Sequence, residues 1–373
     1  MNKTILIGFS ALVLAITSVV KADISISGYQ EFFVGSADQS IATTGTQAAT
    51  TEHGIDRAGM SNGNFSRLNA TYSTQLDSGL QVDGSYTTGV RDCQGNRDSM
   101  CGVVNFNSIN ISGSFGTIGI GEKFDAGAAM LSRMTASGPM SEPDGGVISH
   151  FYTGRGGGTD ATYNVGSGNE HNYANNAMKV TFNSNVYSGF SFAAGFTPNM
   201  NGGTAAGTDA QAATITNSKY GGFTDVLSVY GKYQAEMDGI GIQLVYGMQN
   251  GNAGQVAAVD YADYEETAYS VRLDYAGFAA DYRKNEAGDS GQIKNNNAGN
   301  DEGTSICGSY TFGSIGLGAC QVETNFTDVN NLDNNSQTRT YSAEYQLGGG
   351  VKLGLTYFDV DQTANNVTIT DAD

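Results

Sequence analysis

The sequence has no tryptophan, three prolines, three histidines and four cysteines among 373 residues. Beyond residue 22 it also lacks any run of about twenty apolar residues, which excludes a transmembrane helix. Scarce proline leaves long strands uninterrupted, because proline removes a ladder donor and is confined to edges and bulges. His53, His150 and His171 all lie in loop-like stretches with no catalytic motif around them, which argues against an enzyme. No C-x-x-C occurs and no histidine neighbours a cysteine, so the cysteines do not read as metal ligands. Basic residues are few as well: 18 Lys+Arg stand against 37 Asp+Glu, a net charge of −19. That balance argues against nucleic acid and anionic lipid headgroups as partners and favours cations.

Glycine and aromatics are what the chain has in quantity: 52 Gly, 20 Tyr and 17 Phe. It begins MNKTILIGFSALVLAITSVVKA, with Lys3 as a basic start, Ile5 to Ile16 as an apolar core and Val20-Lys21-Ala22 before Asp23. These features predict a secretory signal peptide over 1–22. Its removal takes away two positive charges, Lys3 and Lys21, and no acid, so the formal charge moves from −19 to −21. Mean hydropathy is −0.27. A transmembrane barrel is compatible with that value, since only alternate residues of each short strand face lipid.

Period-two alternation recurs along residues 23–373. In SINISGSFGTIGIGEKFD (Ser108–Asp125), Ile109 and Ile111 alternate with Ser108, Asn110 and Ser112, and beyond a turn Ile118 and Ile120 alternate with glycines. Leu68, Ala70 and Tyr72 alternate with Arg67, Asn69, Thr71 and Ser73 before the turn Asp77-Ser78-Gly79. Further turns are expected at Ser188-Gly189, Asp238-Gly239, Ala276-Gly277, Gly313-Ser314 and Gly348–Gly350. Short turns alternate with long polar loops, and about fifteen strands of roughly 9–13 residues result, the length a tilted strand needs to cross a bilayer. The predicted fold is all-β: a transmembrane antiparallel barrel of the sixteen-stranded type whose last strand is missing, with NNVTITDAD in an external loop. Residues 24–34 are expected as one strand and 35–62 as a loop. After Asp125 the alternation stops until about residue 175, far beyond the usual loop of roughly 4–6 residues.

The cysteines form two candidate pairs. Counting outward from Gly313-Ser314 sets Cys307 opposite Cys320 at a non-hydrogen-bonded position, within disulfide reach. Cys93 and Cys101 bracket a polar loop, and an oxidising periplasm favours both bridges. Free thiols and pairing across the two sets stay open as alternatives.

Together, ATYSTQLDSGLQVDGSYTTG (Ala70–Gly89), SINISGSFGTIGIGEKFDA (Ser108–Ala126), NNAMKVTFNSNVYSGFSFAAGF (Asn175–Phe196) and YSAEYQLGGGVKLGLTYFD near the C-terminus resemble the general porins of Gram-negative bacteria. The resemblance implies a homotrimer in the cell outer membrane, in contact with lipid and lipopolysaccharide, that passes ions and small hydrophilic solutes. It implies that the third loop, 126–175, folds into the pore and sets acidic residues against a basic wall. On that pattern Glu142, Asp144 and Glu122 are the acidic candidates, and Arg67, Lys123, Lys179, Arg272, Arg283 and Lys352 the basic ones. Glu122 stands where related porins often carry arginine, which weakens the basic side and points to cation preference. Arg272 with Asp274 and Arg283 with Asp281 are alternatively simple lumen ion pairs. No cofactor is implied; the acidic outer loops are where Ca2+ or Mg2+ would bind. A surface adhesin or structural β-protein without a channel is the competing reading, although no fixed short repeat is present.

Overall fold

The structure, a computed structural model, describes residues 23–29, 32–37, 39–41, 53–54, 57–62, 66–90, 102–122, 126–131, 177–200, 223–253, 255–256, 259–294, 301–327, 333–364 and 367–372. Residues 1–22, Cys93, Cys101, Lys123, Glu142 and Asp144 lie outside the described residues, as do the side chains of Arg67 and Glu122. In chain order the first strands are β1 (Asp23–Tyr29), β2 (Phe32–Ala37), β3 (Gln39–Ile41), β4 (His53–Gly54), β5 (Arg57–Asn62), β6 (Ser66–Gln75), β7 (Gln81–Val90), β8 (Gly102–Gly113) and β9 (Gly116–Glu122). A five-residue helix, α1 (Ala126–Met130), follows. The chain continues with β10 (Met178–Asn183), β11 (Phe190–Asn199), β12 (Thr224–Met237), β13 (Ile240–Asn252), β14 (Gln255–Val256), β15 (Val259–Asp260) and β16 (Tyr264–Tyr275). It ends with β17 (Phe278–Gly288), β18 (Asp301–Phe312), β19 (Ile315–Thr327), β20 (Asp333–Gly348), β21 (Val351–Ala364) and β22 (Val367–Ala372).

Antiparallel ladders join β1 to β6, and then each strand to the next through β13, β16 and on to β22. β22 pairs onward with β3, and β3 with β4, giving an 18-stranded sheet. Among the described residues the sheet is not closed edge to edge. Its two ends nevertheless meet on one N-terminal stretch, since β1 pairs with β6 while β3 pairs with β22.

Three local expectations are corrected. Residues 35–62 are not all loop, because β2 pairs with β5 and β3 with β4. The single strand expected over 24–34 is divided between β1 and β2, which have different partners. NNVTITDAD is not an external loop throughout: Val367–Ala372 forms β22 and pairs with β21. Residues 35–62 are rich in Ser, Thr, Ala and Gly and show no contrast between two faces, so period-two reading had nothing to detect there. In the other two stretches Ile24 and Ile26 alternate with serines and Val367 and Ile369 with threonines, but alternation alone does not show where a strand breaks or what it pairs with.

The short turns form where they were expected. Ser188-Gly189, Asp238-Gly239 and Ala276-Gly277 have positive φ at both residues (50° and 87°, 52° and 79°, 46° and 87°). That is the type I′ signature, whose twist matches the strands it joins. Cys307 pairs directly with Cys320, and a disulfide links them across a Cα–Cα distance of 4.1 Å.

Burial is inverted relative to a water-soluble sheet. On β12, Leu227 and Val229 are 51% and 46% exposed, whereas Ser228 and Tyr230 are 1% and 2% exposed. The same holds on β16, β18 and β20, where Leu273, Ile306 and Tyr341 face out and Ser270, Ser305 and Thr340 are buried. Apolar residues outward and polar ones inward suit a strand with hydrocarbon on one face. Near the short turns, aromatic pairs such as Phe190–Tyr233 (4.6 Å) and Phe278–Tyr310 (4.0 Å) sit on the outer face, as at a membrane–water interface. Toward the long loops the outer face turns polar: Lys284 pairs with Glu302 (3.2 Å), Asn335 donates to Glu323 (3.0 Å), and Arg339 pairs with Asp359 (2.7 Å). This row marks the upper limit of the apolar band.

Candidate pore site

The inner face of the sheet is where the remaining chemistry collects. α1 lies inside: Ala126, Met130 and Leu131 pack with Ala193 of β11, Tyr230 of β12, Val245 of β13 and Ala268 of β16. All four wall residues belong to the buried, inward series. The Gln243 side-chain amide donates to the Met130 carbonyl (3.4 Å). The beginning of the third loop therefore enters the lumen and rests on the wall of β11 to β16.

Among the basic candidates, Lys179 on β10 is 1% exposed, and its Nζ donates to the Ala177 carbonyl at 2.7 Å. Arg272 on β16 makes a two-pronged contact with Asp274, Nη2 to Oδ1 at 2.7 Å and Nε to Oδ2 at 2.8 Å. Lys352 on β21 pairs with Glu344 of β20 at 3.0 Å. Arg283 is buried on β17, and its Nε donates to Asn285 Oδ1 at 3.1 Å. Asn285 in turn donates to Glu266 at 3.0 Å, and the Tyr264 hydroxyl donates to the same carboxylate. The contact chain Arg283–Asn285–Glu266–Tyr264 thus runs up the inner wall toward the long-loop end. Arg67 lies on β6 opposite Tyr29 and Gly89, and the Glu122 backbone pairs with Asn107 and Met178.

The wall formed by β6 to β9 is different. Ser85 and Ser108 hydroxyls meet at 3.1 Å, and Ser112 and Thr117 at 2.9 Å. Asp83 accepts from the Ser73 hydroxyl at 2.7 Å and from the Gln81 amide at 3.0 Å. Among the described residues no lysine or arginine pairs with Asp83. Lys232 and Glu236, also inward on β12, add one charge of each sign.

Asp83, Glu266, Asn285 and Tyr230 were not expected as site residues. Asp83 could have been found, because alternation from the Asp77-Ser78-Gly79 turn already places it inward with Gln81 and Ser85. Glu266 and Asn285 lie on the two arms of the hairpin turned at Ala276-Gly277, so counting outward from that turn could have brought them together, whereas the packing of α1 on Tyr230 joins segments far apart in sequence. Among the described residues no group of three or more His, Cys, Asp or Glu is placed to hold a metal ion.

A family model described as "Gram-negative porin" matches residues 8–365. No curated protein matches the sequence. Solved structures share the fold at low identity. An anion-selective porin from Comamonas acidovorans is 11% identical with a TM-score of 0.56, over 94% of this chain and 97% of that one. In-vitro folded OmpT of Vibrio cholerae, described in a trimer form, is 12% identical with a TM-score of 0.53, over 94% and 97% of the two chains. Salmonella typhi OmpF, in complex with daunomycin, is 13% identical with a TM-score of 0.53, over 94% and 95%.

Proposed function

Starting from the fact that this chain belongs to the Gram-negative porin family and is an outer-membrane channel protein, we propose that it passes ions and small hydrophilic solutes with a preference for cations. The observation that carries the preference is the state of the inward charges. Arg272 and Lys352 are each neutralised by an adjacent carboxylate, whereas Asp83 is held by neutral donors. A fixed carboxylate facing water attracts cations and repels anions at the wall, and a cation already paired with a carboxylate presents little field of its own. The net charge of −19 extends the same sign over the whole protein. Glu142 and Asp144, in the loop that α1 begins, are assigned to the same side of the pore, and residues 1–22 to a secretory signal.

The same reading makes the chain a subunit of a homotrimer bordered elsewhere by lipid and lipopolysaccharide. One relative is described in a trimer form. In addition, outward positions near the turn of β6 and β7 carry Thr74, Leu76, Leu80 and Val82, and β1 carries Ile24 and Ile26. The aliphatic side chains gathered at this end of the sheet suit a surface covered by protein.

Planar-bilayer recording tests the proposal. Detergent-purified protein should insert in current steps, and a KCl gradient should give a zero-current potential of the sign set by K+. Glu142→Gln combined with Asp144→Asn should lower that preference; an unchanged potential would remove both residues from the pore.

A further inference from the structure

Tyr230 occupies an unusual slot. Its backbone neighbours across the sheet are Ala193 on β11 and Gly247 on β13, both small. The ring leans over Gly247 on one side, and Gly127 of α1 lies against it on the other; a β-carbon on either glycine would overlap the ring. The Gln249 amide donates to the Tyr230 hydroxyl at 2.8 Å, which fixes the direction in which the ring points. Ala126, Met130 and Leu131 then close over the same spot, and the Gln243 amide holds the last carbonyl of α1. Close packing transmits displacement, because an interior without voids cannot absorb a shift in one of its parts.

We propose that Tyr230 is the positioning residue for the segment that enters the pore: its ring is the floor on which α1 stands, and its height sets how far α1 projects into the lumen. The inference rests on the porin reading and adds a determinant of bore that lies in the wall rather than in the loop. Gly127 and Gly247 are glycine because the ring fills the space a side chain would need. Tyr230→Ala removes the floor, so α1 settles toward the wall or loses its fixed place. Tyr230→Phe keeps the floor and loses the hydrogen bond from Gln249. Gly127→Val lifts α1 off the ring while leaving the barrel wall untouched.

Single-channel recording in planar bilayers distinguishes these cases. Tyr230→Ala should change the unitary conductance by at least about a third and increase open-channel noise, since current follows the radius of the narrowest section. Tyr230→Phe should retain a conductance close to that of the unmodified protein, and Gly127→Val should alter it. Heat-modifiable gel mobility and circular dichroism establish that each variant is folded. If Tyr230→Ala and Gly127→Val both fold and conduct as the unmodified protein does, Tyr230 is a packing residue without influence on the bore, and the inference is overturned. Should Tyr230→Ala not fold, Gly127→Val alone decides between the same two results. Failure of the unmodified protein to give current steps would instead reject the channel reading itself.

Discussion

Arg272 commits the Nε–Nη2 edge of its guanidinium to Asp274, and Lys352 reaches Glu344, so each pair presents a dipole rather than a net charge to the lumen. Exposed pairs of this kind contribute about 0–1 kcal/mol to stability, so their consequence lies in the field and not in the fold. Asp83 differs because a hydroxyl and an amide orient its carboxylate without cancelling its charge. Asp83→Asn should lower the cation-to-anion permeability ratio by a factor of about 2–5, corresponding to roughly 0.5–1 kcal/mol of attraction between charges in high dielectric. Arg272→Ala should raise that ratio, since Asp274 then loses its counter-charge. Zero-current potentials under a KCl gradient measure both, and a shift of the same sign in the two variants contradicts the assignment.

At the level of strands and turns, the hairpins were open to reading from sequence because two independent signals coincide. Alternating residues such as Leu227, Val229 and Tyr233 define the faces, and a residue-glycine pair with positive φ defines the turn. Cys307 and Cys320 followed from counting residues outward from such a turn, and the disulfide forms at that register. Joining residues 13 apart, the bridge limits the unfolded chain by at most about 3 kcal/mol. Replacing both cysteines with serine should lower the unfolding free energy by up to about that amount in a denaturant titration. Because both positions are buried, unitary conductance should stay unchanged, and an altered conductance would contradict that placement. Pairing among β2, β3, β4, β5 and β22 was not legible, since pieces such as Gln39–Ile41 and His53–Gly54 are too short to show a period, and the alternation of Val367-Thr368-Ile369-Thr370 does not name its partner strand. The Tyr230 seat was hidden for another reason. Gly127 and Gly247 are two of 52 glycines, and nothing local distinguishes a glycine that receives a ring from one that turns a chain.

Taken whole, the molecule is a sheet turned inside out. Leu, Tyr and Phe cover the surface, Ser and Thr line the interior, and a short helix stands within it. The absence of tryptophan, the first feature of the sequence, makes that arrangement directly measurable, because any tryptophan introduced is the single indole and can be excited apart from the tyrosines. Tyr246, outward on β13, and Thr71, inward on β6, are both exposed and lie on opposite faces of the sheet. The decisive measurement is fluorescence of Tyr246→Trp and Thr71→Trp proteins folded into vesicles whose acyl chains carry bromine. The Tyr246→Trp emission should be quenched by the brominated lipid and little affected by aqueous acrylamide, and the Thr71→Trp emission should show the reverse. Equal quenching of both by the lipid, or protection of Tyr246→Trp from it, would contradict a barrel with hydrocarbon outside and water within.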